Sequence, residues 1–145
     1  MFHGSAQLSL DSKGRLAIPA KYRDGLMVAC EGRLVVTADP DRCLLVYPRQ
    51  EWDPIQKKLM GLSSFNQKTR ALQRLLVGYA EDVEMDGVGR ILLPSTLREY
   101  AALEKRVVLA GQGNRLELWE ESRWLELSVG SLEEGVPAEL EGFSL

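Results

Sequence analysis

The chain has 145 residues, 45% hydrophobic and 27% charged, with a formal net charge of -3. This is ordinary globular composition, sized for one compact unit or two small halves, and it excludes global disorder. Its longest apolar stretches, such as residues 34–37 and 43–47, are strand-length and far short of the roughly 20 residues of a membrane helix, so no membrane partner is expected.

The start, Met1-Phe2-His3-Gly4, lacks a basic segment followed by an apolar run, so no secretory signal is expected. Residues 6–10 then alternate apolar and polar at period two, the pattern of a half-buried strand. Asp11-Ser12-Lys13-Gly14 has the chemistry of a type I turn closed by glycine, and residues 15–18 form the returning strand. Pro19 suits a helix start, and the helix at 20–24 is expected to stop at Gly25. Strands near 34–37 and 43–47 flank the turn Asp39-Pro40-Asp41. A helical segment follows over about 49–77. Pro54 interrupts its first part, and Ser64 with Gln67 reads as a capping box for a helix running to about Val77. Phe65, Leu72, Leu75, Leu76 and Tyr79 fall on one face of that helix, with Arg70 and Arg74 on the other.

The chain then repeats itself. Asp11-Ser12-Lys13-Gly14-Arg15-Leu16-Ala17-Ile18-Pro19 recurs without a gap as Asp86-Gly87-Val88-Gly89-Arg90-Ile91-Leu92-Leu93-Pro94, and Arg23 and Arg98 keep the same offset. Further on, residues 34–37 answer to 107–110, Val46-Tyr47 to Leu118-Trp119, and Trp52 to Trp124. Each copy reads as strand, tight turn, strand, short helix, two strands, helix. Two copies are too few for a solenoid, so the prediction is an α+β, mainly β chain of two pseudo-symmetric halves. The halves are placed at 1–77, including the helical segment, and 78–130. The acidic end, 131–145, is expected to be frayed or partly helical.

Charge is polarised rather than strong. Residues 7–23 carry Lys13, Arg15, Lys21 and Arg23 against Asp11 alone, and residues 57–74 carry Lys57, Lys58, Lys68, Arg70 and Arg74 with no acid. Acids gather at Glu81, Asp82, Glu84 and Asp86, and at Glu133, Glu134, Glu139 and Glu141. Such a distribution permits nucleic-acid binding despite the negative sum. The Asp-x-x-Gly-Arg turn has two compatible readings. It is a hairpin in which Asp11 accepts turn hydrogen bonds, Gly14 is left-handed and Arg15 pairs with Asp11. It also carries Arg15 or Lys13 toward a phosphate or a guanine edge, which the planar arginine fork suits.

The run Met1-Phe2-x-Gly4, then Leu10-Asp11-Ser12-Lys13-Gly14-Arg15-Leu16-x-x-Pro19-x-x-Tyr22-Arg23, with the second Asp86-x-x-Gly89-Arg90, resembles the MraZ family over about the first 140 residues. The resemblance implies halves of the AbrB/MazE swapped-hairpin β-barrel kind. It also implies a ring-shaped homo-oligomer, an octamer or dodecamer. The implied function is a cytoplasmic, nucleoid-associated transcriptional regulator, usually a repressor. Its partner would be double-stranded DNA, at repeats in the promoter of its own division and cell-wall gene cluster. Residue by residue it implicates Asp11, Lys13, Gly14 and Arg15, and Asp86, Gly89 and Arg90. Only the first turn offers two cations, Lys13 and Arg15, with Lys21 and Arg23 nearby as further DNA-binding candidates, and the second follows an acidic run. The first turn is therefore expected to make the main DNA contacts.

Other readings are weaker. The basic segment 57–74 suits a solvated or ion-pairing helix face, and Trp52, Tyr79, Trp119 and Trp124 suit core or subunit-interface positions. With His3 the sole histidine, no histidine triad or multi-histidine metal site is available, so no catalysis, cofactor, metal or small-molecule substrate is expected. Cys30 and Cys43 lack CxxC spacing and are expected to be buried reduced thiols. The remaining rival is a non-catalytic scaffold or antitoxin-like partner binder on the same fold.

Overall fold

The repeat in the sequence returns as a repeat of elements. The computed structural model describes residues 1–130, 138–140 and 142–143. The first copy forms β1 (Ser5–Ser9), β2 (Arg15–Ala17), α1 (Ala20–Cys30), β3 (Arg33–Ala38), β4 (Leu44–Pro48) and α2 (Arg49–Met60). A further helix follows, α3 (Gln67–Leu76). The second copy forms β5 (Glu81–Glu84), β6 (Arg90–Leu92), α4 (Ser95–Tyr100), β7 (Arg106–Gly111), β8 (Leu116–Glu120) and α5 (Glu121–Gly130). This is the expected α+β, mainly β architecture in two halves. The expectation for the acidic end lies mostly outside the described residues; within them Ala138–Leu140 makes a single 3-10 turn.

The two copies exchange strands. One six-stranded sheet has the order β1-β7-β8-β4-β3-β5, so each outer strand is supplied by the other copy, and β2 and β6 pair as a separate two-stranded ribbon. Two backbone bonds close the first turn, from the Asp11 N–H to the Arg15 carbonyl and from the Gly14 N–H to the Asp11 carbonyl, each at 3.0 Å. Beyond it β1 leaves to pair antiparallel with β7, and β2 pairs with β6 in the register Arg15↔Leu92, Leu16↔Ile91, Ala17↔Arg90.

Side-chain alternation explains the layers. In β3, Leu34, Val36 and Ala38 face the main core, together with Leu44 and Val46 of β4, Val107 and Leu109 of β7, and Leu116 and Leu118 of β8. The ribbon residues Leu16 and Ile91, with Leu26 and Leu97 of α1 and α4, close that core from one side. Val35, Leu45 and Tyr47 face the opposite way, against Trp52 of α2 and Leu76 of α3. β3 and β4 are therefore buried on both faces, which is why they read as near-continuous apolar runs. The repeat-equivalent aromatic pairs Tyr47–Trp52 and Trp119–Trp124 lie with ring centroids 5.4 and 6.3 Å apart.

Three local expectations are corrected. Helix α1 does not stop at Gly25 but continues to Cys30, ending where Glu31 and Gly32 both take positive φ. An interior glycine costs about 1 kcal/mol, whereas burying Leu26 completely, one turn after the buried Tyr22, contributes roughly 1.5–3 kcal/mol. The cap of α3 is Asn66 rather than Ser64: its side chain accepts the Lys68 and Thr69 N–H groups at 2.8 and 3.3 Å. Phe65, expected on the apolar face of that helix, is exposed, and Leu72, Leu75 and Leu76 are half-buried. Pro54 is accommodated inside α2, which starts directly after Pro48.

Candidate nucleic-acid interface

Each Asp-x-x-Gly-Arg turn is built by its aspartate. Asp11 Oδ1 accepts the backbone N–H groups of Lys13 and Arg15 at 2.9 and 2.8 Å, and its Oδ2 accepts Arg15 Nε–H at 2.7 Å. Asp86 repeats the arrangement with Val88, Arg90 and Arg90 Nε at 3.0, 2.9 and 2.9 Å. Gly14 and Gly89 adopt φ of +80° and +84°, and each donates its N–H to the aspartate carbonyl at 3.0 Å. A side chain there would be strained, which is why the motif specifies glycine.

The ion pair orients the arginine more than it stabilises the fold. Arg15 and Asp11 side chains are 30% and 35% exposed, and Arg90 and Asp86 37% and 39%, a setting in which such pairs contribute little. The bond takes Nε–H and leaves the terminal amino groups of the fork for a ligand.

The ribbon sets where those forks stand. Leu16 and Ile91 point into the core, so Arg15, Ala17, Arg90 and Leu92 share the outer face. Antiparallel register puts Arg15 beside Leu92 and Arg90 beside Ala17, a diagonal whose Cα separation strand geometry sets at roughly 8 Å. Leu92, 57% exposed, and Ala17 form an apolar floor between the two cations. Sequence reasoning missed both. The signal was the strict alternation of the ribbon, which puts them two residues from their arginines.

The other expected residues are placed differently. Lys13 sits exposed at the tip of the first turn, and its side chain has no hydrogen bond or ion pair among the described residues; Val88 is its exposed counterpart. Lys21 Nζ donates to the Ser5 carbonyl at 2.9 Å and lies over the Tyr22 ring, away from the turn. Arg23 directs Nε and Nη2 at the Ile18 carbonyl, at 3.1 and 2.7 Å. Lys57 and Lys58 are carried by α2, which packs on the sheet face opposite the ribbon, and Lys68 by α3, which reaches that face through Leu76 and the main core through Leu75. The acids Glu81, Asp82 and Glu84 form the edge strand β5, where Arg33 and Arg49 approach Glu84 and Asp82 at 3.6 Å.

No group of three or more metal-ligating side chains occurs among the described residues. Cys43 is buried and desolvation pushes its thiol far up; the half-buried Cys30 is raised for the same reason. Among the described residues no helix is long and apolar enough to cross a membrane.

The turn geometry makes a pH prediction. The backbone N–H of Arg15, and after it the Arg15 side chain, holds the Asp11 carboxyl below its ordinary 3.8; Arg90 does the same for Asp86. A depressed folded pKa means that the contribution of each aspartate to the turn is complete above 3.8 and is lost as pH falls through the folded value. Carboxyl-carbon NMR titration should give both midpoints below 3.8; a midpoint at or above the ordinary value would show that the turn is open in solution.

The family model described as MraZ protein matches residues 1–75 and again 76–138, one match for each copy of the repeat. Among curated proteins the chain is 59% identical over 148 residues to the transcriptional regulator MraZ of Nitrosomonas eutropha, covering 100% of both chains. It is 59% identical over 147 residues to that of Nitrosospira multiformis and 57% identical over 148 residues to that of Thiobacillus denitrificans, again over 100% of both chains.

Proposed function

The chain belongs to the MraZ family, and from that membership and the paired arginine turns we propose that it binds repeated DNA sites and represses transcription from them. The family is one of transcriptional regulators rather than enzymes. The observation that carries the reading is the outer face of the ribbon, where two oriented guanidinium forks flank an apolar floor. A two-stranded ribbon fits the major groove, an arginine fork reads guanine or grips phosphate, and an apolar side chain such as Leu92 contacts a thymine methyl. Lys13, Arg15 and Gly14, set by Asp11, make the main contacts. Arg90, set by Asp86 and Gly89, is auxiliary. Arg23, bonded to the Ile18 carbonyl, backs the ribbon, and Lys21, held at the Ser5 carbonyl, lies outside the site.

A net charge of -3 calls for affinity by repetition. One ribbon binds with a Kd on the order of non-specific association, ~10⁻⁴–10⁻⁶ M. Several ribbons on a homo-oligomeric ring, an octamer or dodecamer matched to promoter repeats, raise this by ~10²–10⁴-fold without new contacts. The protein then works in the cytoplasm at the nucleoid, on the promoter of its own division and cell-wall gene cluster.

Footprinting and gel retardation with the DNA upstream of its own gene test the reading. Protection should recur at each repeat, weaken steeply with salt, and collapse when the spacing between repeats changes by half a helical turn. Binding indifferent to spacing overturns the repeat mechanism. No retardation at low salt, with the assembly intact by sizing, favours a non-catalytic scaffold or an antitoxin-like binder of a protein partner.

A further inference from the structure

We propose that Arg98 and Arg23 are positioning residues acting crosswise: Arg98 of the second copy locks the first turn, and Arg23 of the first copy locks the second. The roles rest on where the two guanidinium groups lie. A methyl group added at Gly14 would come 2.6 Å from Arg98 Cζ and 2.8 Å from its Nε and Nη1. One added at Gly89 would overlap Arg23 Nε and come 2.8 Å from its Cδ. Each buried turn glycine is thus covered by an arginine of the opposite copy, at a distance that leaves no room for a side chain between them.

The elements explain the reach. Arg23 and Arg98 stand in the first turns of α1 and α4, where side chains slant back toward the helix N-terminus. There Arg98 Nε donates to the Leu93 carbonyl at 3.1 Å, as Arg23 does to Ile18. Those same two residues carry the backbone cross-links between copies: the Leu93 N–H donates to the Gly14 carbonyl at 3.1 Å, and the Ile18 N–H to the Gly89 carbonyl at 2.9 Å. Each arginine therefore grips one end of a cross-link and lies flat on the glycine at the other. The glycines serve two purposes, a positive φ and a bare surface for the opposite guanidinium.

The consequence for DNA is an exchange of dependence. Arg15 projects from a turn held by the second copy, and Arg90 from a turn held by the first, so neither turn keeps its geometry without both halves. This last step rests on the DNA-binding reading; the clamp itself does not.

Amide exchange in the full chain separates the two. Arg98→Ala should speed exchange of the Lys13, Gly14 and Arg15 amides about tenfold, the loss of one net hydrogen bond, and leave Val88, Gly89 and Arg90 unchanged. Arg23→Ala should do the reverse. An effect confined to the turn of the same copy, or none at either turn, overturns the proposal. Arg98→Lys keeps charge and helix propensity, and it should still loosen the first turn because an ammonium has no flat face to lay on Gly14. Exchange at Gly14 as in the parent chain overturns the clamp. With promoter DNA, Arg98→Ala should weaken binding about tenfold in the parent and far less in an Arg15→Ala background. Equal losses in both backgrounds place Arg98 on the DNA itself and defeat its positioning role. Crosswise exchange with unchanged DNA binding upholds the clamp and defeats the DNA reading instead.

Discussion

Replacing Arg15 with alanine lowers affinity for repeat-bearing promoter DNA by about a hundredfold, and replacing Arg90 lowers it by distinctly less. A bidentate arginine contact discriminates by about 1–3 kcal/mol, and in the proposed assembly the loss would recur at every subunit that touches the DNA. The alanine variant also unmasks Asp11, whose carboxylate is otherwise covered by Arg15 at 2.7 Å, and presents a negative charge to the phosphates. Asp11→Asn combined with Arg15→Ala should accordingly recover part of the lost binding. The asymmetry between the copies comes from their surroundings. The first turn carries Lys13 at its tip, whereas the second carries the exposed Val88 and follows the acidic strand β5. Gel retardation of the two single variants decides the matter: equal losses, or a larger loss at Arg90, remove the first turn from its leading role.

The turn chemistry was legible in the sequence because it is local. Asp11 and Gly14 lie within one turn, and side-chain type and spacing fix the hydrogen bonds irrespective of the rest of the fold. The repeat was legible for a related reason: its copies share turns, apolar runs and even the Trp52 and Trp124 positions. What the chain order could not convey was which strand would pair with which. β2 and β6 have three residues each, and nothing in a three-residue alternation names its partner. The exchange of β1 and β5 between copies is a long-range choice made by the shared core. The length of α1 failed for a similar reason, since Gly25 is a stop signal only until Leu26 finds a buried place. Arg23 and Arg98 were visible as a matched pair at one offset of the repeat, with Arg23 expected to serve the first turn. Only the crossing of the two turns brings each onto a glycine of the other copy.

Truncating Leu16 to alanine should destabilise the whole molecule by about 2–5 kcal/mol, and both copies should unfold together. Leu16 is completely buried, and its neighbour across the ribbon, Ile91, is equally so. The ribbon is the lid of the main core, and it takes one strand from each copy. Loss of the first copy would strip β7 of β1, and loss of the second would strip β3 of β5. Neither sequence half then retains a closed set of partners, so no half-folded species is stable enough to populate. Chemical denaturation followed by amide exchange should show β3 and β7 losing protection at one midpoint, in the parent and in Leu16→Ala alike. Ile91→Ala should shift that midpoint similarly, and the double variant should fall short of the sum because the two side chains share one contact. Protection persisting in β7 after β3 has opened would mean that the halves fold separately. In that case each turn would be held by its own copy, and the crossed dependence of Arg15 and Arg90 would fail with it.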